Sequence, residues 1–127
     1  KVDEVDYDGH NATDLAIRMN EERNREDFCV DVAQTCAGQN LAVKTFRELL
    51  LQGRLVLEES PLVLWCLQNA IEIQNNYGDI KLSKRHKDDT ERIDPVAAAM
   101  NALARVLVKR QAKPDLAQAI RMGNYHL

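Results

Sequence analysis

The residues of this chain whose type and setting could do chemistry are two aspartates, Asp8 and Asp94, and one basic run, Lys84-Arg85-His86-Lys87. Asp94 stands before Pro95 and a stretch of small and apolar residues reaching Arg105. Aspartate is a favoured helix N-cap, and proline at the first helical position gives up an N–H that has no partner in any case. Asp94 therefore reads as a carboxylate at the mouth of a helix. The basic run passes through Asp88, Asp89 and Thr90 straight into that helix. Cations beside an acidic helix mouth are what a phosphate-handling site needs. Each residue also has a plainer reading. Asp before Pro is a cap, Asp before Gly a common turn former, and a charge run a solvated surface. On residue type alone the turn former is the better reading of Asp8, and His86 by itself is no sign of a metal ligand.

The elements that must position these residues follow from periodicity and turn chemistry. Val2, Val5 and Tyr7 form a strand-like run that stops at Asp8-Gly9. A helical period starts at Ala12, with Leu15, Ala16 and Met19 on one side and Asn11 as its cap. Residues 28–33 read as a second strand. Strand, helix, strand at this spacing is a βαβ unit with parallel neighbouring strands, and it places Asp8 at the carboxyl edge where ligands of open α/β sheets collect. Residues 34–40 read as a polar loop at that edge. A second helix is expected over 41–52 with Val43, Phe46 and Leu50 inward, closed by Gly53. Residues 55–57 read as a short strand. Ser60-Pro61 opens a third helix in which Trp65 is expected in the core. Residues 70–74 and 79–83 alternate apolar and polar around Asn75-Asn76-Tyr77-Gly78, a β-hairpin. Past the Asp94 helix, Lys113-Pro114 breaks the chain, and residues 115–122 read as a short terminal helix.

Composition sets the outer limits. With 127 residues the chain holds one domain at most, and its 45% apolar share suits a globular core filled mainly by aliphatic residues. The formal charge of -3 gives no global basic field, so a nuclease with this balance needs a local basic patch and metal ions to offset its carboxylates. Cys29, Cys36 and Cys66 are odd in number and lack metal-ligand spacing, so buried free thiols in a reducing compartment are expected. No apolar run approaches the roughly 20 residues that cross a bilayer. Lys1 opens directly on the strand-like run with no signal peptide, which suggests a piece of a longer chain.

Taken in order, these landmarks resemble the C-terminal nuclease domain of phage terminase large subunits. Tyr7-Asp8 with Asn11-Ala12 resembles that family's second acidic strand end. Leu50-Leu51-Gln52-Gly53-Arg54-Leu55 resembles its leucine-rich helix end. Ser60-Pro61-Leu62-Val63-Leu64-Trp65-Cys66 with Asn69-Ala70 resembles its proline-to-tryptophan helix. Gly78-Asp79-Ile80-Lys81 with Lys84 resembles its hairpin and basic turn. Glu91-Arg92-Ile93-Asp94 with the Ala97 to Arg105 run resembles its closing acidic helix. No one of these is unique, but the ordered set is specific.

The resemblance implies an α/β, RNase H-like mixed sheet flanked by helices, here without its first strands, over residues 1–110, with 111–127 as a tail. It implies a metal-dependent endonuclease that cuts concatemeric viral DNA in the bacterial cytoplasm, with Asp8 and Asp94 as catalytic metal ligands. The cofactor implied is Mg2+ or Mn2+, two ions roughly 4 Å apart that activate a water and stabilise the leaving oxygen. Lys81, Lys84, Arg85 and Lys87 are the expected DNA-facing residues. Double-stranded DNA, the portal and the small terminase subunit are the implied partners of the parent, and no membrane is expected. The family's first catalytic aspartate falls before Lys1, and Leu57-Glu58-Glu59 stands where many relatives carry a histidine and a glycine turn. A chain without the first strands is expected to cut poorly and to associate with its own copies through an open sheet edge. The alternatives are a docking or DNA-binding module that does not cut, and another RNase H-like recombination enzyme.

Overall fold

A computed structural model describes residues 1–57, 59–86 and 90–112 of the chain. Eight elements follow in order: β1 (Val5–Tyr7), α1 (Gly9–Arg23), β2 (Cys29–Asp31), α2 (Cys36–Leu51), α3 (Pro61–Asn69), β3 (Ala70–Gln74), β4 (Ile80–Lys84) and α4 (Asp94–Ala112). The strands form two separate two-stranded sheets. β1 and β2 pair in parallel, with Tyr7 opposite Asp31, so the βαβ expectation holds. β3 and β4 pair antiparallel, with Ala70 opposite Lys84, so the hairpin holds too.

Alternation along β1 divides the molecule into layers. Val5 and Tyr7 face α1, where they pack with Ala16, Met19, Phe28 and Cys29. Glu4 and Asp6 face the other way and meet Arg105 of α4. On that side Val32 packs with Ala42 of α2 and Ala104 of α4. Farther along α4, Met100 is fully buried against Val43 of α2 and Ile80 of β4. Emptying such a site to alanine costs about 2–5 kcal/mol. α2 and α4 thus form the middle of the domain, between β1–β2 on one flank and the hairpin on the other.

Several expectations need correction, each for a local reason. α1 begins at Gly9 rather than Ala12, because Asp8 rather than Asn11 is its cap. α2 begins at Cys36, inside the stretch expected as a loop, because the Thr35 hydroxyl accepts from Gly38 N and starts the helix early. Gly53 does follow α2, at φ 63, the left-handed conformation a helix end needs. Residues 55–57 form no strand. α3 does open on Ser60 and Pro61, but Trp65 is 40% exposed and Cys66 takes the buried position instead. Cys29, Cys36 and Cys66 are free thiols, and Cys29 and Cys66 are buried. The expected helix over 115–122 lies outside the described residues, as does residue 113 onward of the expected tail, while the expected boundary at 110/111 falls inside α4. Among the described residues no helix is long and apolar enough to cross a membrane.

Candidate functional site

The carboxyl edge of β1–β2 is built by the crossover itself. Asp8 is extended at φ -88 and ψ 118, and its carboxylate accepts from His10 N as the cap of α1. Asp31 ends the neighbouring strand, and its Oδ1 accepts from Gly9 N at 3.0 Å. The approach is close enough that a Cβ on Gly9 would sit 2.9 Å from Asp31 Oδ2. Two exposed carboxylates therefore stand at one strand exit, each on a backbone N–H of the first turn of α1, the positive end of that helix. Sequence reasoning passed over Asp31. The available signal was a glycine next to Asp8, which the parallel register sets beside the last residue of β2.

The amino end of β1 is the opposite case. Glu4 receives a two-pronged hydrogen bond from Arg105, 3.1 and 3.2 Å, and an ion pair from Lys109 at 2.8 Å. The Arg105 contact holds Glu4 well below the usual carboxylate range, at about 2. Asp6 Oδ1 is buried without a hydrogen-bond partner and lies 3.8 Å from Arg105 Nε. Burial, and then the neighbouring Glu4, push Asp6 up to about 6. No ion pair among the described residues engages Asp8, Asp31 or Asp94.

Asp94 lies in the first turn of α4 and is exposed. The N–H groups of Val96 and Ala97 both go to Ile93 O, so Ile93 takes the capping position expected for Asp94. The segment before it is tied to the hairpin base. Glu91 accepts from His86 N and pairs with His86 Nδ1, both at 2.8 Å, and Asn69 Nδ2 donates to Arg92 O.

The four predicted DNA-facing residues do not share one setting. Lys81 Nζ donates to Gln34 O, at the loop leaving β2. Lys84 is half-buried, and strand alternation puts it on the opposite face of β4 from Lys81. Arg85 donates from its guanidinium to Gln68 O. Lys87 lies outside the described residues. No hydrogen bond or ion pair links Asp8 to Asp94. The connection between them runs through α4, whose Asn101 meets Gln34 beyond the exit of β2. Among the described residues no three His, Cys, Asp or Glu side chains gather into a group that could hold a metal ion.

The family model described as "Terminase large subunit, endonuclease domain" matches residues 1–110. Among solved structures, the large terminase of bacteriophage HK97 superposes with a TM-score of 0.64 at 24% identity, over 79% of this chain. The chain spans about a fifth of that protein, 20% of its length, and the likeness shows a shared mixed α/β fold. A comparison with curated proteins found no match. The family model covers both carboxylate edges and every described element through most of α4: the chain belongs to the terminase large subunit endonuclease domain family.

Proposed function

We propose that the chain is the metal-dependent endonuclease part of a phage DNA-packaging motor, that its fold is RNase H-like, and that it cuts concatemeric double-stranded DNA. The observation that carries this reading is the family match over residues 1–110, which takes in both Asp8 and Asp94. Electrostatics support the assignment of those two residues. Among the described residues their carboxylates meet no cation, while Glu4 and Asp6 at β1 do. Carboxylate oxygens are the donors hard divalent ions prefer, and Mg2+ is commonly held by one or two carboxylates together with substrate phosphates rather than by an all-protein cage. The donor set at Asp8 and Asp94 therefore suits Mg2+ or Mn2+. Such ions, when bound, supply an activated water and charge stabilisation at the leaving oxygen.

The chain's own residues do the rest. Asp8 presents its charge at the strand exit, kept in place by the first turn of α1. Asp94 presents its charge at the start of α4, anchored through Arg92 to Asn69 at the end of α3. Lys84 at the end of β4 meets backbone phosphates, with Arg85 next to it in the chain and Lys81 on the other face of the strand. The portal, the small subunit and the host cytoplasm are the partners and place that follow from this reading. The test is plasmid cleavage by the full-length large subunit. It should cut when Mg2+ or Mn2+ is added and stop on chelation. DNA binding without cutting, whatever divalent ion is supplied, would replace the enzyme with a docking module.

A further inference from the structure

Gln34 sits at the meeting point of four elements and uses both ends of its side-chain amide and its carbonyl there. Its Nε2 donates to Val32 O at 2.8 Å, beyond the end of β2, and to Asn101 Oδ1 of α4 at 3.0 Å. Its Oε1 accepts from Gln39 Nε2 of α2 at 2.6 Å. Its carbonyl accepts from Lys81 Nζ of β4 at 3.1 Å. Gln39 and Asn101 are the buried polar residues of the described chain, at 4% and 7% exposure. They interrupt two apolar clusters, Val32–Ala42–Ala104 and Val43–Ile80–Met100.

An apolar plug would fill this junction as well, since replacing both partners of a buried hydrogen bond by matched apolar groups is often close to neutral. An amide network differs in directionality. Each donor has one acceptor at one height along the helix, so a displaced helix leaves buried groups unpaired, at a cost apolar contacts do not impose. The height is what matters for the site. Arg105 fixes one level of α4 beside Glu4 and Asp6. Asn101 fixes a second level beside Gln34. Asp94 lies seven residues further toward the start of α4, roughly 10 Å along the axis. A slip of one helical turn would carry Asp94 about 5.4 Å from its place relative to Asp8.

We propose that Gln34 is a positioning residue. Through Gln39 and Asn101 it sets the register of α2 and α4 against the carboxyl edge of β1–β2, and through its carbonyl it sets Lys81, so that Asp8, Asp94 and Lys81 keep one relative arrangement. This rests on the reading that those residues act together on DNA.

The test separates register from stability in the full-length large subunit. Gln34→Met removes the hub and strands Gln39 and Asn101, so it lowers Tm. The triple variant Gln34→Met/Gln39→Leu/Asn101→Leu makes the junction wholly apolar and regains most of that Tm. Spin labels on cysteines placed at exposed Thr13 of α1 and Ala99 of α4, in a Cys36→Ser background, report the register without any metal or DNA. The expected result is one narrow distance in the parent and a shifted or broadened one in the triple variant. Cleavage should fall about a hundredfold, the loss that a misplacement of about 1 Å produces. Parent-like distances and cleavage in a triple variant that has regained its Tm would overturn the proposal. If the triple variant does not regain Tm, the single Gln34→Met protein, measured below its own melting temperature, decides the matter by the same distance. Cleavage that survives Asp8→Asn and Asp94→Asn would defeat the nuclease reading instead, and leaves the distance measurement to judge the register by itself.

Discussion

Glu4 and Asp8 stand at opposite ends of β1 and keep opposite electrostatic company. At the amino end, Glu4 and Asp6 are largely buried against α4 and face Arg105 and Lys109. At the carboxyl end, Asp8 and Asp31 are exposed, and among the described residues they accept from backbone N–H groups. The same residue type on the same pair of strands thus has two uses. A carboxylate already neutralised by an internal guanidinium holds two elements together. A carboxylate whose hydrogen bonds among the described residues come from helix N–H donors is left facing solvent. Burial and counter-charge, not position in the sequence, separate the two.

The largest effect expected among the carboxylates without a counter-charge comes from Asp94→Asn in the full-length subunit. Cleavage should fall by more than the about 10–100-fold typical of outer-shell changes at metal sites. Asparagine loses only the charge–dipole term of a first-turn carboxylate, about 0.3–1 kcal/mol, so a thermal melt should move little. A residue that merely starts a helix would show the same small melt shift and keep the cutting.

At the neutralised end, Arg105→Met should cost stability and leave cleavage per folded molecule in place, because Asn101 still holds α4 at its second level. Hydrogen bonds to charged groups contribute about 1.5–3 kcal/mol, and the partners keep some exposure, so about 2 kcal/mol is expected in a urea titration. A loss of cutting without a loss of stability would place Arg105 on the functional side of the comparison.

The pH dependence sharpens the same contrast. Asp6 titrates near 6 when folded against 3.8 for a free carboxyl, so the folded state binds the extra proton between those values. Stability therefore rises as pH falls from about 6 toward 4. Glu4 titrates near 2 against 4.5, so its contribution is present above 4.5 and is lost as pH falls toward 2. The two signs together give a maximum near pH 4 to 4.5 from this pair. Asp6→Asn should remove the gain on the acid side, worth about 1–2 kcal/mol for a proton shared with Glu4, as read from urea midpoints at pH 4.5 and 7. An unchanged pH profile in Asp6→Asn would show that the pair does not titrate this way.

The smallest effect is on the hairpin. Lys84→Ala should lower the salt slope of DNA binding by about 0.9, one phosphate contact. Lys81→Ala should lower it less, because its ammonium already rests on Gln34 O. Equal slopes for both variants and the parent would return the basic run to a solvated surface.

Local chemistry was legible in the residues, and long-range pairing was not. Gly9 after Tyr7-Asp8 and the Ala16–Met19 spacing were enough to place β1, α1 and β2 in a parallel crossover, although Leu15, grouped with them, is exposed. Ser60-Pro61 marked α3, and alternation marked the hairpin. The first turn of α2 was missed because Thr35, Gly38 and Gln39 are loop-like by type, and only the hydroxyl reaching Gly38 N makes them helical. Trp65 was misjudged because size suggested the core, yet α3 turns Cys66 inward and leaves the indole 40% exposed. Asp31 became visible only through the register that brings it to Gly9. The Gln34–Asn101 pair joins residues 67 apart in the chain, a separation over which residue type carries no signal.

The most direct measurement sets Asp8→Asn against Asp6→Asn, two residues apart on one strand, in metal-dependent plasmid cleavage by the full-length subunit, with melting temperature as the control. The account predicts that Asp8→Asn abolishes cutting at a nearly unchanged Tm, while Asp6→Asn cuts normally and changes only stability and its pH dependence. Normal cutting by Asp8→Asn, or loss of cutting by a stably folded Asp6→Asn, would contradict it.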